Sequence, residues 1–384
     1  MPANVINYIG METLHEADEF LSVTGTNVGI DQTIPKTGNG CLECSFARFD
    51  TSHVKMGRHD TGDGQPGEFD IADCYLHMEF RWDIDPPSSG DEPVATWIDK
   101  FGTVKAELRL GFDSKLHFYD KNLALIGSST TVLTTQTYYR VEAHVGTETG
   151  GGGDATVELK INGASELSSS TEVTLTNNNV AILFGKHTSR NDKRLTYYID
   201  DIAIADDDFI GECHVEMMKA DGNGTYTAWT NDYLSCDEVP HDSDTTYVHT
   251  GAGNAKESFT MEDTSGTSVA VDDFIFLKNS TIWREAAAST VKLLLRSGST
   301  DDNTTATATV GTTYIHYAKI YGTDPAGGNW DTTAVDGVEC GVETGAMGIG
   351  NSHRCTAVYL NMLYLVGQAV VAKTALKYVP HAGL

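Results

Sequence analysis

Short runs in which apolar and polar residues alternate, broken every few positions by Gly, Asn, Asp, Ser or Thr, recur along the whole of this chain. Alternation puts the apolar members of each run on one face of an extended strand, and the punctuation turns the chain back on itself. Clear examples are Tyr75-Leu76-His77-Met78-Glu79-Phe80-Arg81-Trp82, Thr156-Val157-Glu158-Leu159-Lys160-Ile161 and Tyr197-Tyr198-Ile199-Asp200-Asp201-Ile202-Ala203-Ile204. Asn162-Gly163, directly after the second run, is a dipeptide suited to a type I′ hairpin turn, whose two central residues both need positive φ. Residues 150–153 are all glycine and read as a loop before that hairpin. Helical periodicity is confined to residues 282–288, which read equally as strand and loop, and to a short turn near residues 330–335.

The pattern therefore predicts an all-β protein. A length of 384 residues allows two domains, each able to bury its own core. The acidic run Asp206-Asp207-Asp208 follows the strand ending near Ala205 and marks the boundary. Two tandem β-sandwich (jelly-roll) domains are expected, at residues 1–210 and 211–384, the second ending in a mildly apolar tail beyond Val366.

Charge limits the partners. With 26 basic against 54 acidic residues the net charge is −28, so a cluster of Lys and Arg to neutralise phosphates is lacking. Nucleic acid and anionic membrane are excluded as expected ligands. No apolar run approaches the ~20 residues that span a bilayer, and no transmembrane helix is expected. The N-terminal residues carry early acids and lack the basic and apolar regions of a secretory signal. A hydrophobic content of 40% with 9% aromatics is that of a folded chain.

Seven cysteines are an odd number, so at least one stays unpaired. Cys41 and Cys44 form a lone CxxC; on a strand they point to opposite faces, and they read as small buried hydrophobes rather than a zinc half-site. Cys340 and Cys355 lie on successive strand-like runs and would bridge in an oxidising environment. Acidic loops are the other feature with chemical content. Asp60, Asp63 and Asp70 are candidate oxygen ligands for calcium, with residues 206–208 and 237–244 as further acidic segments, against the plainer reading of solvated loops. No GxSxG, HExxH or P-loop pattern is present, and the 13 histidines read as scattered surface or loop residues. The five tryptophans read as core, with Trp97 the exception that would stack on a sugar, because its neighbours are polar.

Both halves resemble known families. The first half is similar to the concanavalin A-like lectin/glucanase superfamily, in particular its laminin-G-like jelly rolls. The likeness is carried by Phe80-Arg81-Trp82, Leu116-His117-Phe118-Tyr119-Asp120, Tyr138-Tyr139-Arg140-Val141-Glu142, the 157–163 hairpin and the closing Tyr198-Ile199-Asp200-Asp201-Ile202-Ala203-Ile204. The second half resembles a β-sandwich module of tailed-bacteriophage structural proteins, through residues 221–230, 237–248, 291–298 and Thr323-Asp324-Pro325 with Trp330. Laminarinase-type hydrolases of the first superfamily carry Glu-x-Asp-x-x-Glu on one strand, which Glu68, Asp70 and Asp73 approximate with a final side chain one methylene too short.

The resemblances imply a non-enzymatic structural protein on the exterior of a tailed-phage virion, a capsid decoration or a head or neck fibre. It would contact other virion proteins and assemble as a homo-oligomer, a trimer being the expectation. No cofactor is expected beyond the possible calcium. A carbohydrate-binding adhesin gripping a glycan is the alternative, and a glycoside hydrolase the third reading.

Overall fold

The computed structural model describes residues 3–11, 20, 22–38, 40–46, 51–57, 69, 71–83, 90–99, 101–146, 156–169, 181–186, 195–270, 273–285, 289–303, 308–310, 312–346 and 352–366. The protein is almost entirely β, built from three large antiparallel sheets in sandwich-like jelly-roll folds. Its described residues divide into two compact units, one running through Val215 and the other from Glu216 onward.

Two sheets make the first unit. The back sheet runs Ala164–Ser169, Val157–Ile161, Tyr139–Gly146, Asp73–Trp82, Leu195–Ala205, Cys41–Phe46 and Val28–Asp31, and Val5–Ile9 also pairs with Leu195–Ala205. The front sheet runs Leu125–Ser128, Leu116–Asp120, Val104–Leu110, Glu92–Ile98, Ala181–Gly185, His53–Met56 and Ser22–Thr24. One continuous apolar core joins them, with Leu76, Met78, Phe80, Tyr197 and Ile199 from the back sheet and Trp97, Leu108, Phe118 and Phe184 from the front. The expected alternation is what builds this layer. Along Val104–Leu110, for instance, Ala106, Leu108 and Leu110 enter the core while Lys105, Glu107 and Arg109 take the other face.

Turn chemistry follows the sequence closely. Asn162 and Gly163 adopt φ of 51° and 80° between paired strands, as a type I′ turn requires. The consecutive acids of the closing strand sit at an irregularity between Asp200 and Ala203, where Asp201 has φ of 47°. They pin neighbouring chain: Asp200 accepts the N–H groups of Lys36 and Thr37, and Asp201 accepts Val215 N–H at 2.8 Å and faces His214 Nδ1 at 2.9 Å.

In the second unit, Thr300–Asp302, Ser289–Ser297, Val338–Thr344, Lys256–Met261, Cys213–Thr227, His353–Leu365, Phe274–Glu285 and Ile315–Tyr321 follow one another across the sheet. Trp229, Trp283, Trp330, Phe259, Tyr317 and Tyr364 fill its core. The segment at 282–288 continues a strand as far as Glu285, and residues 286–288 lie outside the described set. The turn near 330–335 is the α-helix Thr332–Asp336, capped by Asp331, whose carboxylate accepts Ala334 N–H.

All seven cysteines are free and buried, and their thiol pKa values are pushed up chiefly by burial. Cys41 and Cys44 are thus small core residues, and Cys340 and Cys355 remain thiols rather than the expected bridge. The histidines depart from the surface reading: His77, His117, His144, His316 and His353 are buried.

Candidate functional site on the outer face of the front sheet

The core takes every second residue of the front sheet, which leaves the alternate residues on its outer face. Strand register aligns these into a row: Leu125 opposes Tyr119, Tyr119 opposes Glu107, Glu107 opposes Thr96, Thr96 opposes Leu183, and Leu183 opposes Lys55. In the adjoining row, Ser128 opposes His117 and His117 opposes Arg109. Neighbouring strands lie about 4.8 Å apart, so the longer row crosses the sheet over roughly 25 Å.

Acid–base groups cluster at the end of these rows. Asp91, just before Glu92–Ile98, accepts from His117 Nδ1 at 2.5 Å and also from the Tyr119 hydroxyl. The second nitrogen of His117, Nε2, stands 3.1 Å from Asp113 Oδ1 in an ion pair without hydrogen-bond alignment. The hydrogen bond to Asp91, opposed by burial and aided by Asp113, raises the pKa of His117. Burial alone would raise Asp91, yet its hydrogen bonds from His117 and Tyr119 outweigh that and hold it below the usual carboxylate range. The pair therefore favours an imidazolium facing a carboxylate.

Arg109 completes the cluster. Its guanidinium lies over the Tyr119 ring, 4.2 Å from the centroid, and its Nε donates to Glu107 at 2.5 Å. Glu107 and Arg109 are nearly inaccessible, whereas Asp113 is 38% exposed, so the cluster opens to solvent at the Asp113 edge. On the same face, burial pushes the Lys105 ammonium down to about 8.

A different pair caps the interior of the sandwich. Lys186 and Glu92 are both buried, with Nζ and Oε2 3.4 Å apart. Their positions follow the core-facing parity of the strands, which separates them from the outer-face cluster.

The residues singled out from sequence fall elsewhere. Asp60, Asp63 and Asp70, the candidate calcium ligands, and Glu68 lie outside the described residues. Asp73 begins the strand Asp73–Trp82 of the back sheet, where its Oδ1 meets His144 Nε2 at 3.0 Å. It thus belongs to the layer opposite the front-face cluster. The other acidic segments are engaged by protein donors: Asp206 and Asp207 bind Asn4, and Asp244 binds Arg284, Arg354 and the Tyr314 hydroxyl. Among the described residues, no group of three or more His, Cys, Asp or Glu is placed to hold a metal ion. Trp97 is fully buried against Phe118, with centroids 5.7 Å apart, and is core rather than a sugar platform.

The cluster itself escaped the sequence reading, although its signal was present. Lys105-Ala106-Glu107-Leu108-Arg109-Leu110 and Leu116-His117-Phe118-Tyr119 place an ionisable or hydrogen-bonding side chain at every second position of two successive strands. Asp91 joins them only through the fold.

No protein-family model matches this chain, and no curated protein sequence does. Solved structures do match over about half of it. The cellulose-induced protein Cip1 is 18% identical, covers 49% of this chain and 89% of its own, and has a TM-score of 0.37. An endo-β-1,4-glucuronan lyase from the fungus Trichoderma reesei is 11% identical over 53% of this chain and 95% of its own, at 0.38. A marine alginate lyase from Aplysia kurodai is 10% identical over 53% of this chain and 100% of its own, also at 0.38.

These findings correct two expectations. The matched structures include polysaccharide lyases, a sialidase and a cellulose-induced protein, and none of these points to the exterior of a virion or to a purely structural, non-enzymatic role. The physical reason lies in the phrases that carried the phage resemblance. Residues 221–227 and 291–297 are strand positions that specify a β-sandwich, and a sandwich hosts many unrelated functions.

Proposed function

We propose that the first unit binds an acidic polysaccharide along the outer face of the front sheet and cleaves it by β-elimination at the His117–Tyr119 cluster. The observation that carries this reading is the sharing of Asp91 by His117 Nδ1 and the Tyr119 hydroxyl on one sheet face.

Elimination removes the proton on C5 of a uronate, breaks the C4–O bond and leaves a C4=C5 double bond. It needs a cation opposite the uronate carboxylate, where negative charge grows as the C5 proton leaves, and a group to carry the proton. His117 supplies the cation: Nδ1 is committed to Asp91, so Nε2, covered by Asp113 at 3.1 Å, is the nitrogen left for a substrate carboxylate. Tyr119 carries the proton. Its oxygen takes the C5 proton while its own shifts along the hydrogen bond toward Asp91, and the sequence reverses to protonate the departing C4 oxygen. The proton is held on Asp91 between the two transfers, and Arg109, stacked on the Tyr119 ring, favours the negative charge that gathers on the phenol oxygen while its proton is in flight.

Two-carboxylate hydrolysis fits less well. A hydrolase needs one carboxyl group kept protonated, and the Asp91 pKa is moved the other way. The test is to incubate the full chain with uronate-containing and neutral polysaccharides and to measure both ultraviolet absorbance of an unsaturated product and new reducing ends. Unsaturated product that disappears in Tyr119→Phe supports elimination. New reducing ends without unsaturation would assign hydrolysis instead, and no cleavage of any polysaccharide would refute the reading.

A further inference from the structure

The Asp113 carboxylate covers Nε2 of His117 at the solvent edge of the cluster. Its Oδ1 lies 3.1 Å from Nε2, yet the contact lacks hydrogen-bond alignment, and Nε2 makes no directed hydrogen bond among the described residues. Asp113 is itself 38% exposed on the turn between Val104–Leu110 and Leu116–Asp120, and its other tie is an acceptance from Lys115 N–H at 3.3 Å. By contrast, Asp91 grips Nδ1 at 2.5 Å with only 7% exposure of its side chain.

The two carboxylates therefore differ in kind. Asp91 is a fixed partner, and Asp113 is a loosely held one at the solvent edge. The turn is shaped to let it in: a Cβ added at Gly111 would stand 2.6 Å from both Asp113 Oδ1 and His117 Cε1. The backbone of the turn is closed by Gly111 N–H to Lys115 O and by Ser114 N–H to Gly111 O, and Leu133 N–H donates to Ser114 O at 2.7 Å. The frame is tied, so the Asp113 side chain is the part free to rotate away.

We propose that Asp113 is a built-in competitor that stands in for a substrate carboxylate, so that the Nε2 side of His117, now covered by Asp113, is a carboxylate-binding subsite which an acidic sugar occupies by displacing Asp113. The inference rests on the polysaccharide reading above and names its substrate class. It follows from charge alone: an imidazolium flanked by two carboxylates is neutralised twice over, and a third carboxylate enters only where one leaves. A neutral sugar gains nothing by that exchange.

Asp113→Asn keeps the shape of the side chain and removes its charge. The experiment compares wild type, Asp113→Asn and His117→Asn, titrating each with a uronate oligosaccharide and with a neutral oligosaccharide of equal length while following the ring resonances of His117 where present. The expected result is about tenfold tighter binding of the acidic oligosaccharide by Asp113→Asn, no change for the neutral one, and loss of the acidic preference in His117→Asn. Equal or weaker binding of the acidic oligosaccharide by Asp113→Asn overturns the proposal. Cleavage by the wild type separates the two claims. If it cleaves and Asp113→Asn gains no affinity, the competitor idea falls and the lyase reading stands. If it cleaves nothing, the lyase reading falls, and tighter acidic binding by Asp113→Asn still supports the subsite.

Discussion

His117 carries most of the proposed chemistry, and its properties come from what surrounds it rather than from its type. Asp91 holds Nδ1, so Asp91→Asn removes the main cause of its raised pKa. The expected outcome is a His117 pKa moved down toward the ordinary imidazole value near 6.5, read by NMR titration. The sign for stability follows. A raised folded pKa means that the Asp91–His117 interaction contributes in full below the unfolded value and is lost as pH rises through the folded one. The difference in urea stability between wild type and Asp91→Asn should accordingly shrink at alkaline pH. At Lys186 the expectation is structural. Lys186→Met leaves Glu92 buried without its ammonium, and should cost about 3–5 kcal/mol in denaturant unfolding.

Elements were legible where apolar and polar residues alternate and hard to read where a shift of register breaks the alternation. The hairpin at Asn162-Gly163 and the strand Val157–Ile161 alternate cleanly, and both form as their residues dictate. Phe274–Glu285 does not alternate. It runs between His353–Leu365 and Ile315–Tyr321, most of its side chains are buried, and its register shifts between Ile282 and Trp283, which puts two large apolar residues in succession. That local break is what resembles helical spacing at 282–288. The front-face cluster was hidden for a related reason. Alternation showed which residues of Val104–Leu110 and Leu116–Asp120 share a face, but only strand pairing brings Asp91 to His117, 26 positions away. Close strand packing also sets a testable limit at Gly341, which lies between Lys256–Met261 and Ser289–Ser297. A Cβ there would stand 2.0 Å from the backbone oxygen of Glu257. Gly341→Ala must push a central strand aside, and thermal unfolding should show a loss of about 1–3 kcal/mol or more.

For the whole molecule, the charge of −28 takes on a more specific meaning once the acids are placed. Many of them tie turns. Asp99 accepts Phe101 and Thr103 N–H, Asp120 accepts Asn122 and Ala124 N–H, and Glu166 accepts Thr130 and Thr131 N–H. Composition showed the excess of acid, and it did not reveal that these carboxylates serve as backbone acceptors, because each partner is set by turn geometry. Glu257 acts differently from these turn acceptors. Burial pushes Glu257 up to about 7, against the lowering effect of hydrogen bonds from Trp229 and Ala228 N–H. The unfolded chain ionises this group first, so stability falls as pH rises from the ordinary glutamate range through about 7. Glu257→Gln should flatten that fall and be more stable than wild type at pH 8, by on the order of 2 kcal/mol in chemical denaturation. Buried His353, lowered to about 4 by burial, acts in the opposite sense, because stability is lost as pH falls from the usual imidazole value toward that one.

The central claim is that Tyr119 and His117 share Asp91 in order to cleave an acidic polysaccharide. Its most direct measurement is the ultraviolet absorbance of unsaturated product released from a uronate polysaccharide by the full chain, compared with that from Tyr119→Phe of equal thermal stability. The expected outcome is release by the wild type and a loss of at least about a hundredfold in the variant, the scale of a removed proton-transfer group. Equal rates in the two proteins, or polysaccharide cleavage without any unsaturated product, would contradict it.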